Sequence, residues 1–288
     1  MYLPAKRGRP PPLSIKENLP TVRVTLVKIA ATATVLLVSV RAMRPVIAKA
    51  RNALYGERAR PANPLALLRD IAKLVTLYVR PDTVRYLPVW LSSLRSRQSP
   101  LSSQMPWIPY PALAFLQRRL SRDATVLEYG SGGSTLWLAQ RAGTVTTVEH
   151  DATWHAMVEQ ELRRYDLQNC TVLLRSPERV DGAAGLDRYP SARMDGSFRA
   201  YVQVAEAFAD DSLDVVLVDG RSREACLLAA ASKLKPGGIL MLDDSYRSRY
   251  ESAMRRLDDW PRTEFSGVRP YSISPSRTTF WVRPPAIQ

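Results

Sequence analysis

The sequence predicts an α/β protein: a doubly wound, mostly parallel sheet with a terminal antiparallel hairpin and a helical N-terminal extension. Three observations predict it. From about residue 112, short apolar runs rich in Val, Leu and Ile alternate with amphipathic stretches of helical period. Glycines cluster where the first such run gives way to a helix. The last two strand-like runs have no helix between them, which argues a hairpin.

Taken in order, "ALAFLQRRL" reads as a helix, "TVLEY" as a buried strand and "STLWLAQRA" as the next helix. "TVTTVEH" is a strand, "WHAMVEQELRRY" a helix and "NCTVLLR" a strand. A loop-rich insertion covers 176–197. Then come helix "FRAYVQVAEAFA", strand "LDVVLVDG", helix "SREACLLAAASKL", strand "GGILMLDD" and helix "YESAMRRLDDW". The hairpin runs lie around "TEFSGV" and "TTFWVR". Strands and helices of these lengths, alternating, make parallel βαβ units.

Charge divides the chain. Residues 1–120 hold 20 Lys and Arg against 4 Asp and Glu, whereas 121–288 hold 21 against 23, for a total of +14. Three regions follow: a Pro-rich basic tail over 1–21, a basic helical region over 22–100, and an α/β domain over 101–288. Within the second, the uncharged run Ile29–Val40 has 12 residues, short of the roughly 20 that span a bilayer. Lys28 would snorkel to extend it. A helix packed on the domain, a helix lying on an anionic membrane surface through residues 22–97, and a spanning helix all remain open. Nucleic acid is disfavoured as a partner, since no aromatic-interleaved motif or recognition-helix pattern accompanies the charge. Cys170 and Cys226 stand in apolar contexts without zinc-site spacing. They read as free buried thiols of a reducing, cytoplasmic compartment. Two histidines, His150 and His155, are too few for a multi-histidine metal site.

The glycine stretch "VLEYGSGGSTLWLA" poses the question of its ligand. A phosphate-binding P-loop needs Lys followed by Ser or Thr after the second glycine, and neither Lys nor that order is present. A dinucleotide fingerprint on Gly130 and Gly132 puts Thr135 where the third glycine belongs. Glu128, just before the loop, is an unfavourable neighbour for phosphate and a favourable one for a cation. S-adenosylmethionine suits both facts, because it carries a sulfonium and an ammonium and no phosphate. Glu149, 19 residues after Gly130 at the tip of the next strand, is placed to accept from ribose hydroxyls. An NAD-dependent oxidoreductase and a non-catalytic membrane-associated protein on the same fold are the competing readings.

Four segments, "LEYGSGG", "TTVEHD", "VVLVDG" and "LKPGGILMLDD", resemble in order the motifs of class I S-adenosylmethionine-dependent methyltransferases, over about 107–283. The resemblance implies a Rossmann-like fold and methyl transfer to an acceptor, here a small-molecule hydroxyl. It implies cofactor contacts from Glu128, Gly130, Ser131, Gly132, Glu149, His150, Ser176 and Asp219. Ser134 stands where many members have a further glycine. Trp154 is a candidate to line the adenine site, and Trp107, Tyr110 and Tyr246 to wall the acceptor pocket. His155 reads as a residue of a solvated helix rather than a base.

Asp219 ends one strand and Asp243 and Asp244 end the next, so a parallel sheet sets them side by side at its ligand-binding edge. Their pattern is similar to that of metal-dependent O-methyltransferases of the catechol and caffeoyl-CoA type. That likeness implies Mg²⁺ held by Asp219, Asp243 and Asp244, with Asp219 and Asp244 in catalysis. Two departures are visible: an acid replaces the amide of the usual Asp-Asn pair, and "DGRSRE" offers Arg221 and Arg223 where those enzymes have a Lys base. Arginine cannot act as a base at neutral pH, but it suits a carboxylate or phosphate. A helix-capping role for the two aspartates is the alternative.

Overall fold

The computed structural model describes residues 85–96, 98–179, 189, 196–272 and 275–285. The chain divides into two compact units, Met1–Leu67 and Leu68–Gln288, and every described residue belongs to the second. The tail over 1–21 and the basic helical region up to residue 84, with its apolar run Ile29–Val40, lie outside the described residues.

A seven-stranded sheet organises the unit, in the order β3-β2-β1-β4-β5-β7-β6. The strands are β1 (Thr125–Tyr129), β2 (Thr144–Glu149), β3 (Cys170–Leu174), β4 (Leu213–Val218), β5 (Leu234–Asp243), β6 (Arg262–Gly267) and β7 (Ser276–Val282). β1 to β5 pair in parallel, and β7 runs antiparallel to both β5 and β6. The helices are α1 (Leu87–Arg95), α2 (Tyr110–Arg119), α3 (Gly133–Ala139), α4 (Ala152–Arg164), α5 (Arg199–Val202), α6 (Arg223–Ala231) and α7 (Glu251–Arg255).

Alternate residues of each strand feed opposite cores. Val126, Val215, Leu217 and Phe280 face α2, α3 and α4, whereas Leu127, Tyr129, Val216 and Trp281 face α5 and α6. The central strands are therefore apolar on both faces, which is why they read as continuous hydrophobic runs. The same logic orders the hairpin. β7 buries Phe280 on one face and Trp281 on the other and so takes the inner place. β6 opens with exposed Arg262, Thr263 and Glu264 and forms the edge, where charge discourages further strand pairing.

Three elements depart from expectation; the single helix expected over 198–209 is the four-residue α5 followed by a 3₁₀ segment, Gln203–Ala207. The helix expected over 250–260 is a 3₁₀ turn, Ser248–Tyr250, followed by the short α7. The chain then continues in tight turns, with Leu257 N–H bonded to Met254 O and Trp260 N–H to Leu257 O, up to Pro261, which disfavours helix before it. β5 starts three residues earlier than expected, at Leu234, and accommodates Lys235-Pro236-Gly237-Gly238 through a register shift opposite Leu213 and Val215. Gly237, at φ +82°, supplies the left-handed backbone for that irregularity. Helix α1 belongs to this unit: Tyr86 stacks on Tyr110, and Trp90 packs beside them and donates to Ser272 O at 2.7 Å.

β1 and β4 are neighbours whose connections leave in opposite senses, so their carboxyl ends open the crevice where ligands bind in such sheets. The glycine loop follows β1, and Asp219 follows β4.

Candidate active site

Chain direction makes the loop. β1 delivers its last residue, Tyr129, to the sheet edge, and the backbone must reverse before α3 begins at Gly133. Gly130 does so at φ +96°, where a methyl group would lie 2.7 Å from Gly220 Cα. At Gly133 a methyl would lie 2.1 Å from Pro100 O and 2.5 Å from Met105 O. At Gly132 its nearest neighbour would be Trp154, at an ordinary 3.9 Å. Two of the three glycines are thus demanded by the protein's own packing. Gly132 alone keeps space for something outside the chain.

Glu128 lies beneath this loop, buried on the face of the sheet that carries α3. Its carboxylate accepts from Thr135 Oγ1 at 2.5 Å, and Thr135 Oγ1 in turn accepts from Gly132 N–H at 2.9 Å. Burial raises its pKa to about 7, against the opposing pull of the Ser134, Thr135 and Thr147 hydroxyls. In this structure Glu128 braces the loop from below, and it is shielded from the crevice by the backbone it holds.

Glu149 ends β2 and gathers the loop from the side. Oε2 accepts from Ser131 N–H at 3.1 Å and from Ser131 Oγ at 2.8 Å. Oε1 accepts from the N–H groups of His150 and Asp151 at 2.7 and 2.9 Å and lies 2.7 Å from His150 Nδ1. Burial alone would raise its pKa, but the hydrogen bonds from His150, Asp151 and Ser131 outweigh it and hold the group at about 2. A permanently ionised acceptor therefore stands at the tip of β2. Ser176 is exposed beside it and donates to His150 O at 3.1 Å. Trp154, in the first turn of α4, donates to Ser131 O at 2.8 Å and so flanks the loop. Asp151 caps α4 by accepting from Trp154 N–H at 2.8 Å. His155 points elsewhere, with Nε2 3.1 Å from Val172 O, tying α4 to β3.

His150 bridges two regions. Its Nε2 accepts from Arg221 Nε at 3.0 Å, which leaves the ring proton on Nδ1, facing Glu149. Arg221 lines a cavity of about 450 Å³ at the ends of β4 and β5, together with Asp219, Arg223, Asp243, Asp244 and Trp107. Gly220 forms the wall shared with the glycine loop, its backbone pressed against Gly130.

The acids of this cavity are already matched by arginines. Arg223 donates to the backbone carbonyls of Asp219, Gly220 and Asp243 at 2.7, 3.0 and 2.6 Å and pairs with Asp219 Oδ1 at 2.7 Å. Asp244, in the left-handed region at φ +52°, pairs with Arg247, accepts from Ser276 Oγ at 3.0 Å and lies 3.6 Å from Arg269. Asp243 is buried and accepts from Thr278 Oγ1 at 2.6 Å. Burial first, then the neighbouring Asp219 and Asp244 charges, push its pKa up to about 8. Burial also raises Asp219, against the pull of Arg223.

This arrangement does not show the Mg²⁺ site read from Asp219, Asp243 and Asp244. A divalent cation needs ionised oxygens free to converge, and here one carboxyl favours its proton while the other two are engaged by guanidinium groups. Among the described residues no group of three His, Cys, Asp or Glu is arranged to hold a metal ion. The residues do not fit the ion. The capping alternative for Asp243 and Asp244 finds no helix at their side chains; their partners are Thr278, Ser276 and arginines.

Of the aromatic candidates, Trp107 lines the cavity. Tyr110 is buried against Tyr86, and Tyr246 stands exposed beside Arg247. Sequence reasoning passed over Arg247, Arg249 and Arg269, all of which line the cavity. Arg247 and Arg249 left a local signal, "SYRSRY" directly after the acidic strand end. Arg269 left none, since it reaches the cavity from beyond β6.

Sheet order, the crevice between β1 and β4, and the acid at the tip of β2 define a Rossmann-like α/β domain. Residues 127–245 match the model of a family described as a methyltransferase domain. No curated protein matches the sequence. Solved structures similar to it include the O-methyltransferase TomG of Streptomyces achromogenes, at 15% identity and TM-score 0.48, covering 68% of this chain and 96% of that one. An O-methyltransferase of Thermotoga maritima is 14% identical with TM-score 0.43, covering 66% and 73%. A precorrin-8W decarboxylase of Methanobacterium thermoautotrophicum is 17% identical with TM-score 0.44, covering 66% and 94%.

Proposed function

We propose that this domain transfers the methyl group of S-adenosylmethionine to a hydroxyl of a small molecule bound in the cavity beside Asp219. The carrying observation is Glu149, an ionised acceptor whose oxygens hold the glycine loop at the tip of β2. Ribose hydroxyls are donors and suit that carboxylate. Exchanging the Ser131 hydroxyl for a ribose hydroxyl would keep Glu149 satisfied. Gly130, Ser131 and Gly132 would lie under the methionine portion, with His150 and Ser176 at the nucleoside side, and Glu128 would act by holding the loop. When bound, the cofactor would supply an electrophilic methyl group on a sulfonium, with a neutral thioether as its leaving group.

The chain's own residues then have two tasks. The Gly130–Gly220 wall keeps the cavity adjacent to the loop, so an acceptor oxygen can be positioned without a long approach. Asp219 is partly exposed in the cavity and its pKa is raised, so it can take the acceptor's hydroxyl proton as the new bond forms. Asp244 contributes by fixing Arg247 and Ser276 around it.

Isothermal titration with S-adenosylhomocysteine tests the reading: saturable binding that is lost in Glu149→Ala supports it. Absence of binding, or a Glu149→Ala variant that binds as wild type, overturns it. Nothing in the described residues favours an NAD oxidoreductase. As to membrane attachment, no described helix is long and apolar enough to cross a membrane, and residues 22–50 lie outside the described part.

A further inference from the structure

Five arginines and four acids line the cavity beside Asp219, and they are not used equally. Arg223 spends its donors on three backbone carbonyls and Asp219. Arg247 is paired with Asp244, and Arg221 is tied to His150. Two guanidinium groups remain. Arg249 is exposed, donates only to the Tyr250 hydroxyl at 2.9 Å, and has no carboxylate within ion-pair distance among the described residues. Arg269 lies flat over the Trp107 indole, 3.8 Å from the ring centre, and among the described residues its one carboxylate within ion-pair distance is Asp244 at 3.6 Å. Its Nε is buried without a hydrogen-bond partner among the described residues.

A buried donor without a partner is costly, and such groups in native proteins usually mark a place where something else binds. Stacking on the indole fixes the plane of the Arg269 guanidinium and leaves its edge, where the N–H donors are, turned away from the ring. A planar fork of donors, with a second cation lining the same cavity and no carboxylate within ion-pair distance of that cation among the described residues, matches an oxyanion. It does not match a neutral hydroxyl, and it would repel a cation.

Resting on the reading that this cavity takes the methyl acceptor, we infer that the acceptor carries an oxyanion, a carboxylate or a phosphate, bound by Arg249 and Arg269. Its body lies against Trp107, and its hydroxyl is turned toward Asp219. The substrate class is thus a small hydroxylated acid or phosphate ester. The arginines set specificity by charge, while Asp219 and the glycine loop set the chemistry.

The test uses the full chain saturated with S-adenosylhomocysteine, titrated separately with inorganic phosphate and with benzoate. One of the two anions saturates, and which one does tells phosphate from carboxylate. Arg249→Gln and Arg269→Gln each weaken that binding about tenfold or more, as expected for loss of one charge-assisted contact. Arg255→Gln is the control, since Arg255 is exposed on α7 and pairs with Glu251 outside the cavity. Thermal melts confirm that each variant folds. If Arg269→Gln does not, Arg269→Lys replaces it, retaining the charge, losing the fork and binding more weakly. Failure of both anions to bind a protein that binds S-adenosylhomocysteine overturns the inference and leaves methyl transfer standing. So does binding that neither arginine variant weakens. Anion binding that depends on Arg249 and Arg269 in a protein that ignores S-adenosylhomocysteine would keep the oxyanion site and refute the cofactor reading.

Discussion

Replacing each loop glycine by alanine separates the glycines that packing demands from the one that a ligand demands. At Gly133 the new methyl would stand 2.1 and 2.5 Å from two backbone carbonyl oxygens, more than 1 Å inside ordinary contact. Neither carbonyl belongs to a flexible side chain, so the 100–105 segment or α3 must shift. Overpacking of this kind costs about 1–3 kcal/mol, and the propensity gain of alanine in a helix offsets at most about 1. At Gly130 the methyl would meet Gly220 Cα at 2.7 Å, and the φ of +96° adds about 1–2 kcal/mol of backbone strain. Gly132 is different. Its φ of 167° is extended backbone open to any residue, and its methyl would meet Trp154 at 3.9 Å. Gly132→Ala should therefore melt within about 2 °C of wild type, whereas at roughly 2–4 °C per kcal/mol Gly133→Ala should lose up to about 12 °C and Gly130→Ala about 4–20 °C. Titration with S-adenosylhomocysteine completes the experiment: Gly132→Ala should bind about tenfold more weakly while remaining folded. A Gly132→Ala protein as unstable as Gly133→Ala would refute the packing argument. One that binds like wild type would refute the assignment of this loop to the cofactor.

Other outcomes follow from the charges. Glu149 is held at about 2 against an ordinary 4.5, so its contribution to stability is present above pH 4.5 and is lost as pH falls toward 2. The shift corresponds to about 3 kcal/mol, and urea melts between pH 2.5 and 7 should show a shallower acid dependence in Glu149→Gln. Asp243 is shifted upward, so the sign reverses: its share of stability is present below about pH 4 and disappears as pH rises through about 8. Melting temperatures between pH 5 and 9 should accordingly fall less in Asp243→Asn than in wild type. Arg223→Gln leaves Asp219 without its partner and three carbonyls without a donor. Denaturant unfolding should register a loss of about 3–5 kcal/mol, and a loss below 1 would show that the pairing is not structural.

Much of this molecule was legible before its structure. The alternation of apolar strands and amphipathic helices, the terminal hairpin and the acids at strand ends follow from local periodicity, because burial on one or two faces is written residue by residue. Helix 250–260 was misread because its apolar spacing is helical, while Pro261 and the tight turns before it stop the helix early. Glu128 reads from sequence as an acid beside a ligand, yet its position on a strand between two cores turns it inward to Thr135. The metal reading finds no support in the structure for a similar reason. Asp219, Asp243 and Asp244 meet as the parallel sheet requires, but the sequence cannot say what else arrives there.

What the sequence by itself determined is the sheet, the glycine loop after its first strand, and the edge at which chemistry gathers. Each depends on residues near one another in the chain and on the two-residue and 3.6-residue periods. Only the tertiary structure decided which glycines serve packing, which acid stays ionised, and that arginines pair with Asp219 and Asp244 at the acidic edge. Those outcomes depend on contacts such as Gly130 with Gly220, Gly133 with Pro100, and Asp244 with Arg269. Coulombic and steric energies fall off with distance in space, and no local pattern records which distant segments the fold brings within 4 Å.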